Sequence, residues 1–255
     1  MRRAGRIPRA NADRKVSATG IIERMRIARG APASSNPLLT PSANPDAATM
    51  PVSDNPLTCS LIAEDIIERN EWAKIVLVGD IIHIVIFALR RTEEIETHEI
   101  DFVLGNRFLL SVHPAAWDPR SVHQLKLGIG TFMARGSDSL LWALADGIVD
   151  GYFPVFDQFA DEIHEVQNEI IANAVPATLH HVFRLKREMI RIRHVIAPTR
   201  EIFGRLTGGE FEQIGDAQVL YFRYTYDHLI RLTDDFESFR ELVAGALDVY
   251  RSIHQ

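Results

Sequence analysis

The chain has 255 residues, 46% apolar and 24% charged, which is the make-up of a globular protein with a substantial core. Its one cysteine, Cys59, excludes an internal disulfide and a cysteine-rich zinc site, and its longest apolar run (residues 81–89, interrupted by His83) falls far short of the ~18 residues of a membrane span. Residues 1–50 carry a balance of +6 and the remaining 205 a balance of −12; so acidic a body argues against nucleic acid and suits a cationic partner, metal ions included.

The first 50 residues are rich in Arg, Ala, Pro, Ser and Asn without a sustained apolar period, and read as a poorly ordered basic tail. A transit peptide or an anchor for an anionic surface is the alternative there. Leu61, Ile62, Ile66 and Ile67 then predict a short helix over 59–69. Four β-like runs follow at 74–78, 80–89, 94–104 and 107–113, with Gly79-Asp80 and Gly105-Asn106 as hairpin turns. Ile95, Thr97, Glu99 and Asp101 alternate with their neighbours, the pattern of a half-buried strand. A helix over 118–134 is expected to cover one face, which makes 56–136 a small sheet domain.

From 137 to 255 the pattern is helical. Leu144, Ile148, Tyr152, Val155, Phe159, Ile163, Val166 and Ile170 recur every three or four residues, with Pro154 predicting a kink or joint. Val182, Leu185, Met189, Ile192, Ile196, Thr199, Phe203 and Leu206 form a near-heptad seam. Leu229, Leu232, Phe236, Phe239, Val243, Ala246, Tyr250 and Ile253 form another, on a helix running from about 216. That helix is roughly 60 Å long at 1.5 Å per residue and reaches the last residue without a stop signal, as though cut mid-helix.

The short connection at 172–177 makes the first two long helices antiparallel neighbours. Asp157, Asp161, Glu162, Glu165 and Glu169 lie on the first, and seven Arg or Lys residues between 184 and 205 on the second. Mutual neutralisation of solvated faces and cation sensing by the acidic face both account for this arrangement.

Signatures of catalysis are missing: there is no phosphate-binding loop, nucleophile elbow, H-E-x-x-H or Cys-x-x-Cys. Asp161-Glu162-x-His164-Glu165 lacks a partner cluster for a two-metal hydrolase, so no enzymatic activity is expected. Two carboxylate groups stand out instead. Glu64-Asp65 lies on the first short helix, and Asp146 and Asp150 share a helix face at i,i+4. Carboxylates are the ligands of Mg2+ and other hard cations, although caps and solvated faces also account for these residues. The residues by themselves describe an elongated, acidic α+β protein, oligomeric through a long helix.

The segments LLWALADGIVDGYFPVFDQFADEIHEVQNEI, LKREMIRIRHVIAPTREIF and YDHLIRLTDDFESFRELVAGALDVY closely resemble the cytoplasmic domain of CorA-type magnesium/cobalt transporters. AEDIIERNEWAKIVLVGDIIHIVIFAL resembles the same family's helix–strand–strand block, and the likeness runs from about 56 to 255. It implies an α+β fold: a small mixed or antiparallel sheet flanked by helices, then long antiparallel helices and a C-terminal stalk helix. It further implies a homopentamer joined through that stalk, on the cytoplasmic face of the cell membrane. The family's two membrane helices and Gly-Met-Asn motif would follow the present C-terminus, so this chain is expected to be soluble on its own and not to conduct ions.

The resemblance also implies regulatory sites for Mg2+, or for Co2+ and other divalent cations, between neighbouring subunits. Glu64, Asp65 and Asp150 match the family's acidic positions, with Asp146 and Asp227 as weaker candidates. Tyr224 stands where the family places a stalk aspartate, which removes one carboxylate ligand. Asp248 matches a position that points at the pore axis, where it would attract cations. Asp157, Asp161, Glu162, Glu165 and Glu169 resemble the family's acidic outer helix. The implied mechanism is gating: bound cations bridge carboxylates between subunits and hold the pore closed. The alternative is a soluble truncated homologue acting as an interaction protein without transport of its own.

Overall fold

The computed structural model describes residues 56–68 and 70–254, so the expected basic tail lies outside the described residues. Helix α1 (Pro56–Ile67) leads into strands β1 (Lys74–Val78), β2 (Ile81–Arg91), β3 (Ile95–Gly105) and β4 (Phe108–Val112), close to the predicted runs. They form an antiparallel meander in sequence order. Val78 pairs with Ile81, so Gly79-Asp80 is a two-residue hairpin loop, and Gly79 supplies the positive φ (64°) that such a loop requires. The second tight turn differs from expectation. Gly105 pairs with Phe108, which leaves Asn106 and Arg107 as the loop. A Cβ at Gly105 would lie 2.2 Å from the Phe108 ring; the glycine makes room for an aromatic and is not itself the turn.

The sheet is covered on both faces at its centre. Ile62, Ala63 and Ile66 of α1 pack on Ile81 and Val103. The other face, with the cross-strand pairs Ile82–Leu104, Ile84–Phe102 and Ile86–Ile100, belongs to the main core. This corrects the half-buried reading of β3: alternation fades after Glu99, and Ile100 through Gly105 are all buried. A strand enclosed on both faces has no polar face to display.

The continuous helix expected over 118–134 is also absent. Two 3-10 turns (Pro119–Ser121 and His123–Leu127) and a short helix α2 (Ile129–Met133) replace it. Asp118 caps the first turn by accepting from the Arg120 N–H at 3.0 Å, and Gly128, at φ 93°, breaks the chain direction before α2. The segment packs chiefly on α3 (Ser137–Asp150) through Val122, Leu125 and Phe132.

Helix α4 (Tyr152–Asn173) follows α3 after Gly151, three residues ahead of Pro154, whose ring takes away the N–H that Asp150's carbonyl would otherwise receive. The predicted joint therefore falls one turn before its proline. Helices α5 (Pro176–Leu206) and α6 (Asp216–Ile253) complete the fold. Every residue of the first two predicted seams is buried. On α6, Leu229, Leu232, Phe236, Val243, Ala246 and Tyr250 are buried, whereas Ile253 is exposed. Phe239 of α6 meets Phe156 and Phe159 of α4, each at 5.7 Å, and Phe203 of α5 meets Phe222 of α6 at 5.9 Å. Burial of each enclosed ring (Phe156, Phe159, Phe203 and Phe222) contributes about 1.5–3 kcal/mol, and the half-buried Phe239 adds less, so α6 is fastened to both neighbours. Residues of the sheet and of the long helices share one apolar core. No described helix is long and apolar enough to cross a membrane.

Candidate metal centre

The last turns of α3 carry Asp146 and Asp150 on one face, and α6 presents Thr225 and His228, three residues apart, toward them. Gln124 reaches the same point from the second 3-10 turn, which approaches closely because residue 147 is glycine. A Cβ there would sit 2.3 Å from a Val122 methyl. The Gln124 amide donates to Asp146 Oδ2 at 2.6 Å and to Asp150 Oδ2 at 2.9 Å. The Thr225 hydroxyl donates to Asp146 Oδ1 at 2.6 Å, and the Trp142 indole N–H donates to Thr225 Oγ1 at 3.2 Å. His228 Nδ1 lies 3.7 Å from Asp150 Oδ1. One ligand atom from each of Asp146, Asp150 and His228 falls within 4.8 Å of the others, and no other such trio of His, Cys, Asp or Glu occurs among the described residues. A cavity of about 350 Å3, lined by Gln124, Asp150, Trp117 and His123, opens beside them.

The electrostatics favour a positive charge at this point. Burial pushes the Asp146 carboxyl above its ordinary range; the Thr225 hydroxyl draws it back, the charge of Asp150 raises it again, and the Gln124 amide offsets part of that. The amide donor of Gln124 stands between two carboxylate oxygens, where a cation would otherwise sit. Its Oε1 is buried without a hydrogen-bond partner, and so is His228 Nδ1. Turning the amide over would offer a third oxygen. Two carboxylates, an amide oxygen and an imidazole are a donor set that a divalent ion fits; the imidazole favours Co2+ over Mg2+, which prefers oxygen and retains water.

The other predicted acids are placed differently. Asp65 Oδ1 receives Lys74 Nζ at 2.5 Å, and Oδ2 lies 3.0 Å from Nδ1 of His83, a side chain 2% exposed. His83 Nε2 in turn faces Asp101 Oδ1 at 3.2 Å. Both oxygens of Asp65 are engaged in a chain of polar groups beneath α1, so within one subunit it does not fit an open metal ligand. Glu64 is exposed on the same helix, as are Asp227 and Tyr224 on α6. Asp248 is exposed and lies 3.4 Å from Arg251.

The acidic stretch of α4 divides in two. Glu162 is ion-paired with Arg91 and with Arg184, and Glu169 with His181 at 3.4 Å. Arg91 also binds Glu188 at 3.1 Å, inside the protein. Asp157, Asp161 and Glu165 are exposed. Sequence reasoning missed Gln124, Thr225 and His228. The i,i+3 spacing of Thr225 and His228 was visible, but nothing in the sequence brings it opposite α3.

Comparison with known proteins gives a consistent answer. A family model described as CorA-like Mg2+ transporter protein matches residues 55–255. The cobalt/magnesium transport protein CorA of Thermotoga maritima is 29% identical over 198 residues, covering 75% of this chain and 56% of the relative. The chain spans about half the length of the curated relatives it matches. Its fold is that of the soluble domain of CorA from Methanocaldococcus jannaschii (TM-score 0.61, 19% identity, 71% of this chain and 73% of that one). The ZntB cytoplasmic domain from Vibrio parahaemolyticus is similar as well (TM-score 0.56, 18% identity, 80% of each chain).

Proposed function

Because the chain belongs to the CorA-like Mg2+ transporter family, we propose that it is the metal-sensing part of a divalent-cation transporter and is not an enzyme. The observation that carries this reading is the convergence of Asp146, Asp150 and His228 around the Gln124 amide. In the cation-free state Gln124 neutralises part of the repulsion between the two carboxylates. With the Gln124 amide turned over, Asp146, Asp150, Gln124 and His228 would be the residues to hold Mg2+ or Co2+, linking α3, the 3-10 turn and α6. The position of α6 relative to the sheet domain then depends on cation concentration.

In a homopentamer with α6 at the centre, that dependence gates the pore. Glu64 on α1 and the exposed Asp157, Asp161 and Glu165 on α4 are the acids that face outward toward neighbouring subunits or solvent, while Asp65 is held beneath α1 by Lys74 and His83. Tyr224 withholds a carboxylate from the stalk. The phenol is a poor ligand for a hard cation at neutral pH, so sensing shifts to the set within the subunit. Asp248 adds negative charge along α6. The site of action is the cytoplasmic face of the cell membrane.

The test is titration with CoCl2 followed by visible absorption, with thermal unfolding in parallel. Binding at the carboxylate–imidazole set gives a Co2+ absorption band and raises Tm, and MgCl2 raises Tm without the band. Asp150→Asn and His228→Ala each weaken the Co2+ response at least tenfold. An unchanged response in both variants refutes the reading.

A further inference from the structure

The cavity of about 350 Å3 beside the two carboxylates is bounded by the end of α3, the 3-10 turns and β2, and its walls are of two kinds. Ala88, Leu89, Val122 and Ile148 are buried and line it with hydrocarbon, and the half-buried Trp117 adds an aromatic ring. That ring meets the His113 ring edge-on at 4.9 Å, and the Trp117 backbone N–H donates to the Pro114 carbonyl at 3.1 Å, so the indole is held in place. Against this apolar wall stand acceptors. Asp150 Oδ2 receives the Gln124 amide at 2.9 Å, but its Oδ1 accepts no hydrogen bond among the described residues. Gln124 Oε1 is buried and accepts none either. The backbone carbonyl of Asp150 has no i+4 donor, because residue 154 is proline. No Lys or Arg lines the cavity to balance the charge of Asp150.

These walls select their occupant by elimination. A bare metal ion makes no use of hydrocarbon, and an anion is repelled by Asp150. A neutral apolar molecule would strip water from the acceptors and leave them unpaired, which is costly. A primary ammonium ion with a hydrocarbon tail suits both walls. Its three N–H donors match the three acceptors, its charge is opposite to that of Asp150, and its tail finds Leu89, Ile148 and an aromatic face. We propose that this cavity is a binding site for a primary alkylammonium or arylalkylammonium ion, held by Asp150, Gln124 Oε1 and Trp117. The amine takes the Gln124 amide in its present orientation, whereas a divalent cation takes it turned over. Amine binding therefore goes beyond the metal-sensing reading and does not rest on it.

Isothermal titration calorimetry of the full chain with phenethylammonium chloride, near pH 7 in buffer containing EDTA, tests this. Binding to one site per chain is expected. The trimethylated analogue keeps the charge and the tail but has no N–H, and it binds at least tenfold more weakly, as does the neutral phenethyl alcohol. Asp150→Asn keeps the shape of the site and Trp117→Ala removes its aromatic wall; each weakens the primary amine at least fivefold. Trp117→Phe retains the affinity to within about threefold, which separates loss of the ring from loss of the fold, and thermal unfolding reads the fold of every variant directly. The EDTA keeps this outcome distinct from the Co2+ titration, which tests the metal set by itself. The proposal is overturned if wild type gives no heat of binding up to about 10 mM amine. It is equally overturned if the trimethylated and neutral analogues bind as tightly as the primary amine, or if Asp150→Asn and Trp117→Ala leave the affinity unchanged.

Discussion

Arg91 is the residue whose removal tests most directly what the acids of α4 do. Its side chain is 7% exposed and lies between Glu162, 21% exposed, and Glu188, 1% exposed; Arg184, 32% exposed, completes a neutral set of two acids and two arginines. Arg91→Met keeps most of the volume and removes the charge. Glu188 is then left with Arg184 at 4.0 Å as its nearest cation, and a buried carboxylate without a close partner costs about 3–5 kcal/mol. Arg184 remains within reach, so the lower end of that range is expected, about 3 kcal/mol. In a domain of this size that corresponds to a fall in Tm of roughly 6–12 °C.

The loss depends on pH with a definite sign. Burial already pushes the Glu188 carboxyl above its ordinary range, Arg91 being the main opposing influence, and removing Arg91 pushes it further. A carboxyl raised in the folded state contributes stability when protonated, and that contribution is lost as pH rises through the raised value. The deficit of Arg91→Met should therefore be larger at pH 7.5 than at pH 5. Urea unfolding at both pH values measures it, and adding Glu188→Leu recovers most of the loss. A deficit below about 1 kcal/mol at pH 7.5, or one equal at both pH values, would mean that the cluster is not the buried, interdependent set described above.

Other outcomes follow from the remaining geometry. Asp146→Asn removes a carboxyl that burial holds above the usual range, so the variant is more stable than wild type near pH 7 without metal, and it loses the stability change that wild type undergoes as pH rises from about 4; thermal melts from pH 3.5 to 7.5 read both effects. Gly147→Ala places a methyl 2.3 Å from Val122, displaces the turn that carries Gln124, and weakens Co2+ binding despite the better helix propensity of alanine; the visible Co2+ band measures it. Asp65→Ala strips His83 and Lys74 of a shared partner and costs about 1–3 kcal/mol in metal-free buffer, where urea unfolding detects it; loss only in the presence of Mg2+ would instead make Asp65 a ligand.

The parts of this fold that were legible in the sequence are those with a long period. Seams such as Val182 to Leu206 have eight positions each, and no other arrangement buries all of them. The strands were legible as runs, but their surroundings were not. Whether Asp101 faces water or core depends on whether α1 lies over it, and local alternation carries no information about a helix 36 residues earlier. The segment from 118 to 134 reads as one helix because its apolar residues sit at helical spacing, while Pro119, Gly128 and Gly130 limit what the backbone can propagate. At the candidate metal centre the pair Asp146 and Asp150 is visible because one helix sets their spacing. Gln124 and His228 join them from 22 and 82 positions away in sequence, through packing that a one-dimensional pattern does not encode.

Helix α6 gives the site mechanical reach. It spans 38 residues, about 57 Å, and the centre contacts it near one end, at Thr225 and His228. From His228 to Ile253 the rod extends about 37 Å, so a tilt of about 5° around the site sweeps the far end through about 3 Å. Under the proposed function, the turning of a single amide and the drawing together of two carboxylates, each a movement of atomic size, would thereby become a displacement comparable to the width of a small ion's passage. Such a mechanism would need no large rearrangement at the point of binding, because leverage is built into the length of one helix.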